Sequence, residues 1–210
     1  MDLAAQLRDA GFDAVRFFTG SAKPGQVLVV SLGGSAELYV AGHDREITRK
    51  LVDYLQRSSF PAVILTRERI EGTFTLAQAH LMTPTAPDII VSSRGRDEPN
   101  DFGTLGLVAS DLGKSRGQGT HSTFSPHDLH NTLIASGPDF RSGWSDEMPS
   151  GNLDVAPTIL ALLGLKPPHR WMAVSSLRRC ERVRHRPAPN PRNWLRSGIL
   201  ATSFGVKLSA

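Results

Sequence analysis

The sequence predicts an α/β fold, and three features of residues 1–168 lead to this prediction. Short apolar runs with strand character alternate with amphipathic runs of helical period, a pattern typical of helices layered on a sheet. Gly33-Gly34 joins two of the strand-like runs, and a two-glycine link of this kind indicates a β-hairpin. The helical runs are bracketed by residues that begin and end helices, such as Asp44 and Gly164.

Each predicted element has its own local signal. The strands are short apolar runs, expected at residues 26–32, 36–40, 62–66, 88–91 and 131–136. The helices have apolar residues spaced on one face, and they are expected at residues 2–10, 44–56 and 154–163. Asp154 is the expected N-cap of the last helix, with Pro157 in its first turn. Residues 93–125 lack apolar periodicity, so a long loop is expected there, of a kind that is usually functional or disordered.

The charge of the sequence is unevenly distributed. Nine of the 24 Lys/Arg residues but one of the 20 Asp/Glu residues lie in 168–210, so this tail carries +8 and residues 1–167 carry −4. We expect no nucleic-acid partner, because the body of the chain is acidic. We expect no membrane partner either, because the longest apolar runs are too short to span a bilayer and the first residues lack a signal-peptide pattern. The compartment stays open, since a longer parent protein could be exported.

A histidine-rich loop precedes the last predicted strand. Residues 119–130 read GTHSTFSPHDLH and hold three of the seven histidines, His121, His127 and His130. Neutral imidazole is a common zinc ligand, and ligands collect at strand-end loops of α/β proteins. One interpretation is a zinc site made of these three histidines, although their spacing matches no strong zinc pattern. The other is a structural loop, in which Asp128 or an imidazole caps the backbone.

These residues resemble the last block of the type I phosphodiesterase/nucleotide pyrophosphatase family, which belongs to the alkaline phosphatase superfamily. Five runs carry the resemblance: GTH at 119–121, SPHDLHNTLIA at 125–135, GPDF at 137–140, GNLDVAPT at 151–158 and LALLG at 160–164. Upstream, GGSAELYV at 33–40 and PDIIV at 87–91 are similar to a bacterial branch of the family. The resemblance covers roughly residues 1–168 and implies a partial alkaline-phosphatase-like three-layer α/β/α sandwich.

The resemblance also implies a chemistry, the hydrolysis of phosphate esters such as phosphodiester or nucleotide pyrophosphate bonds. His121 would be a ligand of one of two divalent metal ions, usually Zn²⁺, which activate the nucleophile and bind a phosphoryl oxygen in the complete enzyme. The family's usual glycine after this histidine is Ser122 here. His127 and His130 match positions that would support the site without binding metal. Asp139 and Asp154 are carboxylates for which a structural role, in Asp154 a helix cap, is the simpler interpretation.

Other parts of the family's site have no counterpart in the sequence. The family also uses a metal-binding Asp, a Thr or Ser nucleophile and an Asp-His-Gly motif, yet only His43 and His80 precede His121, and neither stands in that motif. We therefore assign no catalytic residue, and we expect at most one weak, partial metal site and no turnover by this chain alone. The alternatives are a non-catalytic remnant, a chain completed by a complementary N-terminal chain, a stand-alone zinc-binding protein and, within the superfamily, a sulfatase.

Residues 169–210 depart from the family pattern. They are rich in arginine and proline without an amphipathic period, and this composition predicts a disordered tail. Trp171 and Met172 have the single codons TGG and ATG, and every codon for Ala173 begins with GC. When this DNA is read from two bases later, it encodes Asp-Gly, the dipeptide that the resemblance implies at this point. We hypothesise a frameshift near His169, in which case the positive charge of the tail has no function.

Overall fold

A computed structural model describes residues 1–111, 121–147 and 149–165. Its helices are α1 (Leu3–Asp9), α2 (Arg45–Arg57), α3 (Pro126–Leu129) and α4 (Val155–Leu162), with 3₁₀ turns at Ala41–His43 and Asn152–Asp154. Its strands are β1 (Ala14–Val15), β2 (Val27–Ser31), β3 (Ser35–Val40), β4 (Pro61–Thr66), β5 (Phe74–Thr75), β6 (Ile89–Ser93), β7 (Gly95–Pro99) and β8 (Leu105–Val108). The chain divides into two units, Met1–His130 and Asn131–Ala210. Within the described ranges no helix combines the length and the apolar character needed to cross a membrane.

A mixed six-stranded sheet forms the centre of the first unit, and it confirms the predicted α/β class. The strand order is β1-β2-β3-β6-β4-β5. The two outer pairs, β1 with β2 and β4 with β5, are parallel, whereas the three inner pairs are antiparallel. The four predicted strands of this unit correspond to β2, β3, β4 and β6. Because β6 inserts between β3 and β4, the centre of the sheet joins segments that are far apart along the chain.

The main hydrophobic core lies between one face of this sheet and helices α1 and α2. The buried side chains of α2 are Leu51, Val52 and Leu55, which belong to the stripe that its helical period predicts. They pack in one cluster with alternate residues of the inner strands, such as Leu38. Burying a side chain of this size contributes about 1.5–3 kcal/mol, so the core fixes the sheet and both helices as one structure.

The helix starts and the hairpin of the first unit agree with the sequence prediction. The carboxylate of Asp44 accepts from the backbone N–H groups of Glu46 and Ile47 at 2.8 and 3.0 Å, as an N-cap does. The β2–β3 connection turns at Gly33, whose φ of +88° is a left-handed conformation that glycine adopts without a steric penalty. These features are local, which explains why the sequence indicates them.

The expectation of a long structureless loop at 93–125 is wrong for part of that stretch. Strands β7 and β8 form an antiparallel hairpin, and the side chain of Asn100 accepts from the backbone of Phe102 and Thr104 in its turn. Most residues of β7 are exposed. Neither face of such a hairpin is buried in a core, so its sequence has no reason to alternate between apolar and polar residues, and periodicity does not reveal it.

The second unit contains the predicted last helix but lacks one predicted strand. Residues 131–136 have no regular structure and are exposed, including Leu133 and Ile134, so the expectation of a buried strand there is wrong. A strand needs a hydrogen-bonded neighbour, and the described residues of the second unit, 131–147 and 149–165, contain no strand. Helix α4 follows the prediction to within one residue at each end, with Pro157 in its first turn.

Candidate functional site

The segment that begins at His121 is held against one end of the sheet. The backbone N–H of Gly34 donates to the carbonyl oxygen of His121 at 2.8 Å. Three residues later, the N–H of Phe124 donates to Oγ of Ser92 at 3.0 Å, near the end of β6. The main chain at His121 therefore runs beside the β2–β3 turn and β6, two neighbouring strand ends, as the strand-end position of the loop predicts.

Gly34 is needed for this close approach. A Cβ atom at Gly34 would lie 2.2 Å from Cγ2 of Thr123 and 2.7 Å from the carbonyl oxygen of His121. Both distances are below van der Waals contact, and the second involves backbone that cannot move aside without shifting the segment. The two glycines of the hairpin thus have separate roles, because Gly33 allows the turn and Gly34 allows the His121 segment to pack on it.

The imidazole of His121 is exposed beside this contact. Its Nδ1 lies 2.5 Å from Oγ of Ser122. This contact uses one ring nitrogen, and Nε2 is the nitrogen that could bind a metal ion. Ser122 has φ +74°, a left-handed conformation that costs about 1–2 kcal/mol for a residue with a Cβ atom. This is the position where the resemblance implies glycine, the residue for which that conformation carries no such cost.

A hydrogen-bond network fixes the residues that follow His121. Asp128 accepts from the backbone N–H of Thr123 at 3.2 Å and from the hydroxyl of the same residue. The Thr123 hydroxyl oxygen accepts from the N–H of Ser125, and Oγ of Ser125 accepts from the N–H of His127 at the start of α3. Asp128 therefore binds a backbone N–H group, the role that the structural-loop interpretation gives it.

The other two histidines of the loop do not join His121. Nε2 of His127 lies 2.7 Å from Oδ1 of Asp97 in β7, and its ring packs on Gly106, where an added Cβ would be 2.8 Å from the ring. His127 therefore attaches α3 to the β7–β8 hairpin. His130 is exposed, and its backbone N–H donates to Pro126. Across residues 1–111, 121–147 and 149–165, no group of three or more His, Cys, Asp or Glu side chains is arranged to hold a metal ion.

The two carboxylates named from the sequence lie in the second unit. Asp139 is half-buried in a turn. Asp154 occupies the N-cap position of α4, but its carboxylate accepts from the N–H of Gly151 at 3.0 Å and makes no cap hydrogen bond to α4. The prediction that the Asp154 side chain caps α4 is therefore wrong. The carboxylate binds the N–H group at the start of the preceding 3₁₀ turn instead. Gly119 and Thr120 of the motif, and the basic tail at 169–210, lie outside the described residues.

A buried ion pair stabilises the sheet end that carries the His121 segment. Asp111 is 2% exposed, and its two oxygens accept from both terminal nitrogens of Arg16 at 2.6 and 2.8 Å. The same carboxylate accepts from the N–H of Leu3, while the N–H of Asp111 donates to Gly33 at 3.0 Å. These bonds to Asp111 raise the pKa of Arg16 above its already high ordinary value. The pair ties α1 and residue 111 to the β2–β3 turn.

Sequence reasoning missed a second polar cluster of the first unit. Asp88 is 4% exposed in its side chain, with Oδ1 2.7 Å from Nδ1 of His43 and Oδ2 accepting from the N–H of Val40. The sequence signal is only that His43 follows β3 and Asp88 precedes β6, which makes both strand-end residues. The 45 positions between them hide the pair from any local pattern.

Comparison with known proteins adds no relative: no family model, no curated protein and no solved structure matches this chain.

Proposed function

We propose that this chain supplies His121 as one metal ligand of a phosphate-ester hydrolase related to the type I phosphodiesterase/nucleotide pyrophosphatase family, within an alkaline-phosphatase-like fold. The observation that carries the proposal is the left-handed backbone at Ser122, φ +74°, directly after an exposed histidine. The resemblance implies glycine at that position, and the backbone here has the conformation that glycine adopts without a steric cost. The hydrogen bond from Gly34 to the His121 carbonyl holds the backbone that carries the imidazole at one end of the sheet. Ligand sites of α/β proteins are found at such strand ends.

One imidazole is not a metal centre, and the described residues do not fit a complete one. Zinc sites take three or four protein ligands, and the parts of the chain that the structure describes contain no group of three or more possible ligands. The 210 residues also contain no Asp-His-Gly motif. We therefore assign no catalytic step to these residues and propose that the nucleophile and the other ligands come from residues outside this sequence.

Sequencing the DNA on both sides of the coding region tests this proposal. We expect a neighbouring frame that encodes a metal-binding Asp, a Thr or Ser nucleophile and an Asp-His-Gly motif. Co-expression of both frames should then give zinc-dependent hydrolysis of bis(p-nitrophenyl) phosphate, whereas this chain alone should give none. A parallel assay with p-nitrophenyl sulfate separates the phosphoesterase from the sulfatase alternative.

His121→Ala should abolish the activity of the reconstituted enzyme, and His80→Ala is the matched control because His80 is also an exposed histidine but matches no position of the family's site. Hydrolysis that survives His121→Ala would refute the ligand role. Turnover by this chain alone, lost in His121→Ala, would refute the incomplete site. If the frames are absent and dialysed protein retains stoichiometric zinc through His121, the stand-alone zinc-binding alternative replaces the proposal.

A further inference from the structure

A basic cleft lies at the opposite end of the sheet from His121. It is formed by the start of α2, the segment after β4 and the residue before β6. Four arginines line it: Arg45, Arg49, Arg67 and Arg69. His43 and two carboxylates, Glu68 and Asp88, complete the charged groups of its wall, so the cleft carries a net charge of +2 with His43 neutral.

The carboxylates of the cleft are already used by other groups. Asp88 binds the Val40 N–H and the His43 ring, and one of its oxygens is 3.5 Å from Nε of Arg67. Glu68 accepts from Nε and Nη2 of Arg45 at 3.0 and 2.6 Å. Neither acid is therefore left to neutralise a further cation.

Two guanidinium groups of the cleft have no partner among the described residues. The side chains of Arg49 and Arg69 are exposed and make no hydrogen bond or ion pair with any residue that the structure describes. The other acids at the start of α2 do not reach them, since Asp44 caps the helix and Glu46 pairs with Lys50 at 2.6 Å. Each unpaired guanidinium is a planar set of donors that matches the oxygens of a phosphate or carboxylate.

His43 is held in place at the edge of this cleft. Gly42 and His43 have φ of +77° and +52°, so the histidine adopts a left-handed backbone that is uncommon for a residue with a Cβ atom. Its Nδ1 is fixed by Asp88 while its side chain is 61% exposed, an arrangement that presents Nε2 at the open side of the ring. Such backbone strain persists only where the surroundings enforce it, and it is concentrated at functional sites.

We propose that this cleft binds a phosphate group, either as free orthophosphate or as the head of a small phosphate monoester. The exposed guanidinium groups of Arg49 and Arg69 bind its oxygens. The excess positive charge and the fork geometry of the guanidinium groups favour a dianionic phosphate over a single carboxylate.

The cleft is separate from the candidate metal ligand. β3 begins directly after Gly34, which binds the His121 segment, and it ends at Val40, which binds Asp88. From Gly34 to Val40 the strand advances six residues, each rising by roughly 3.4 Å, so the two places are about 20 Å apart. Phosphate binding here does not depend on the proposed hydrolase function, and either proposal can fail alone.

Titration calorimetry of the full chain with orthophosphate and with ribose 5-phosphate, at constant ionic strength, tests the site. The double variant Arg49→Gln/Arg69→Gln should bind about tenfold more weakly or worse, because hydrogen bonds to charged groups are lost. Arg49→Lys/Arg69→Lys keeps the charge but loses the fork geometry of the guanidinium groups. Its affinity for phosphate should lie between that of the natural protein and that of the double glutamine variant. The matched control Lys23→Gln/Arg57→Gln removes the same charge from exposed residues that do not line the cleft, and should bind like the natural protein.

Absence of binding at millimolar phosphate would overturn the proposal. So would an equal loss of affinity in the control Lys23→Gln/Arg57→Gln, because it would show that only the net charge of the protein matters. Tighter binding of ribose 5-phosphate than of orthophosphate would identify a monoester as the ligand, and equal affinities would identify the phosphate group itself. Circular dichroism checks the fold of each variant, which should be retained because neither guanidinium group makes a hydrogen bond or ion pair with a described residue.

Discussion

Replacing Gly34 by alanine should detach the His121 segment from the sheet at a measurable cost in stability. The new methyl group would lie 2.2 Å from Cγ2 of Thr123 and 2.7 Å from the His121 carbonyl oxygen. Inserting a methyl group into a packed contact costs about 1–3 kcal/mol, and the Gly34–His121 hydrogen bond is worth about 0.5–1.5 kcal/mol more. The reduced entropy of the unfolded chain offsets about 0.4–1 kcal/mol of this, which leaves a loss of about 2 kcal/mol.

Urea unfolding followed by far-ultraviolet circular dichroism measures this loss. Gly20→Ala is the matched control, because nothing lies within 4 Å of a Cβ atom at Gly20 and its φ is not positive, so it should be neutral or slightly stabilising. Thr123→Ser removes Cγ2 but keeps the hydroxyl that binds Asp128, so it should recover part of the loss in the Gly34→Ala background. Equal stability of the Gly34→Ala and Gly20→Ala variants would refute the close approach of the two segments.

Three further variants test other features of the first unit. Ser122→Gly should raise the free energy of unfolding by about 0.5–1 kcal/mol in urea, because it relieves the left-handed serine, and Ser122→Ala, which keeps the Cβ atom, should not. Asp111→Asn should lower it by about 3–5 kcal/mol, since Arg16 then loses its buried partner, whereas Lys50→Gln at an exposed pair should leave the unfolding midpoint unchanged. Burial, with a hydrogen bond to Glu37, raises the pKa of Tyr39 above its ordinary 10.0. The unfolded chain therefore loses this proton first, and the free energy of unfolding should fall as pH rises above about 10. The fall should be smaller in Tyr39→Phe, which lacks the hydroxyl. Urea unfolding of both proteins at several pH values measures the difference.

The contrast between the confirmed and the wrong predictions follows the range of the interactions concerned. Helix α2 and the β2–β3 hairpin were predictable because the Asp44 cap and the Gly33 turn act within a few residues. The apolar run at 131–136 was expected to be a strand, yet strand formation depends on a neighbour that no local pattern reports. The β7–β8 hairpin was not predicted, although its strands do pair. It buries no apolar face, so its sequence lacks the periodic pattern that indicates a strand.

The sequence by itself determined the α/β class, most element positions of the first unit and the histidine motif at His121, because turns, caps and periodicity are properties of neighbouring residues. Only the tertiary structure decided the partners of the polar residues. Asp111 meets Arg16 across 95 positions, and Asp88 meets His43 across 45, because β6 inserts between β3 and β4 and residue 111 returns to the β2–β3 turn. Buried charges must find partners wherever the strand order places them, and that order depends on the packing of the whole sheet rather than on any local segment.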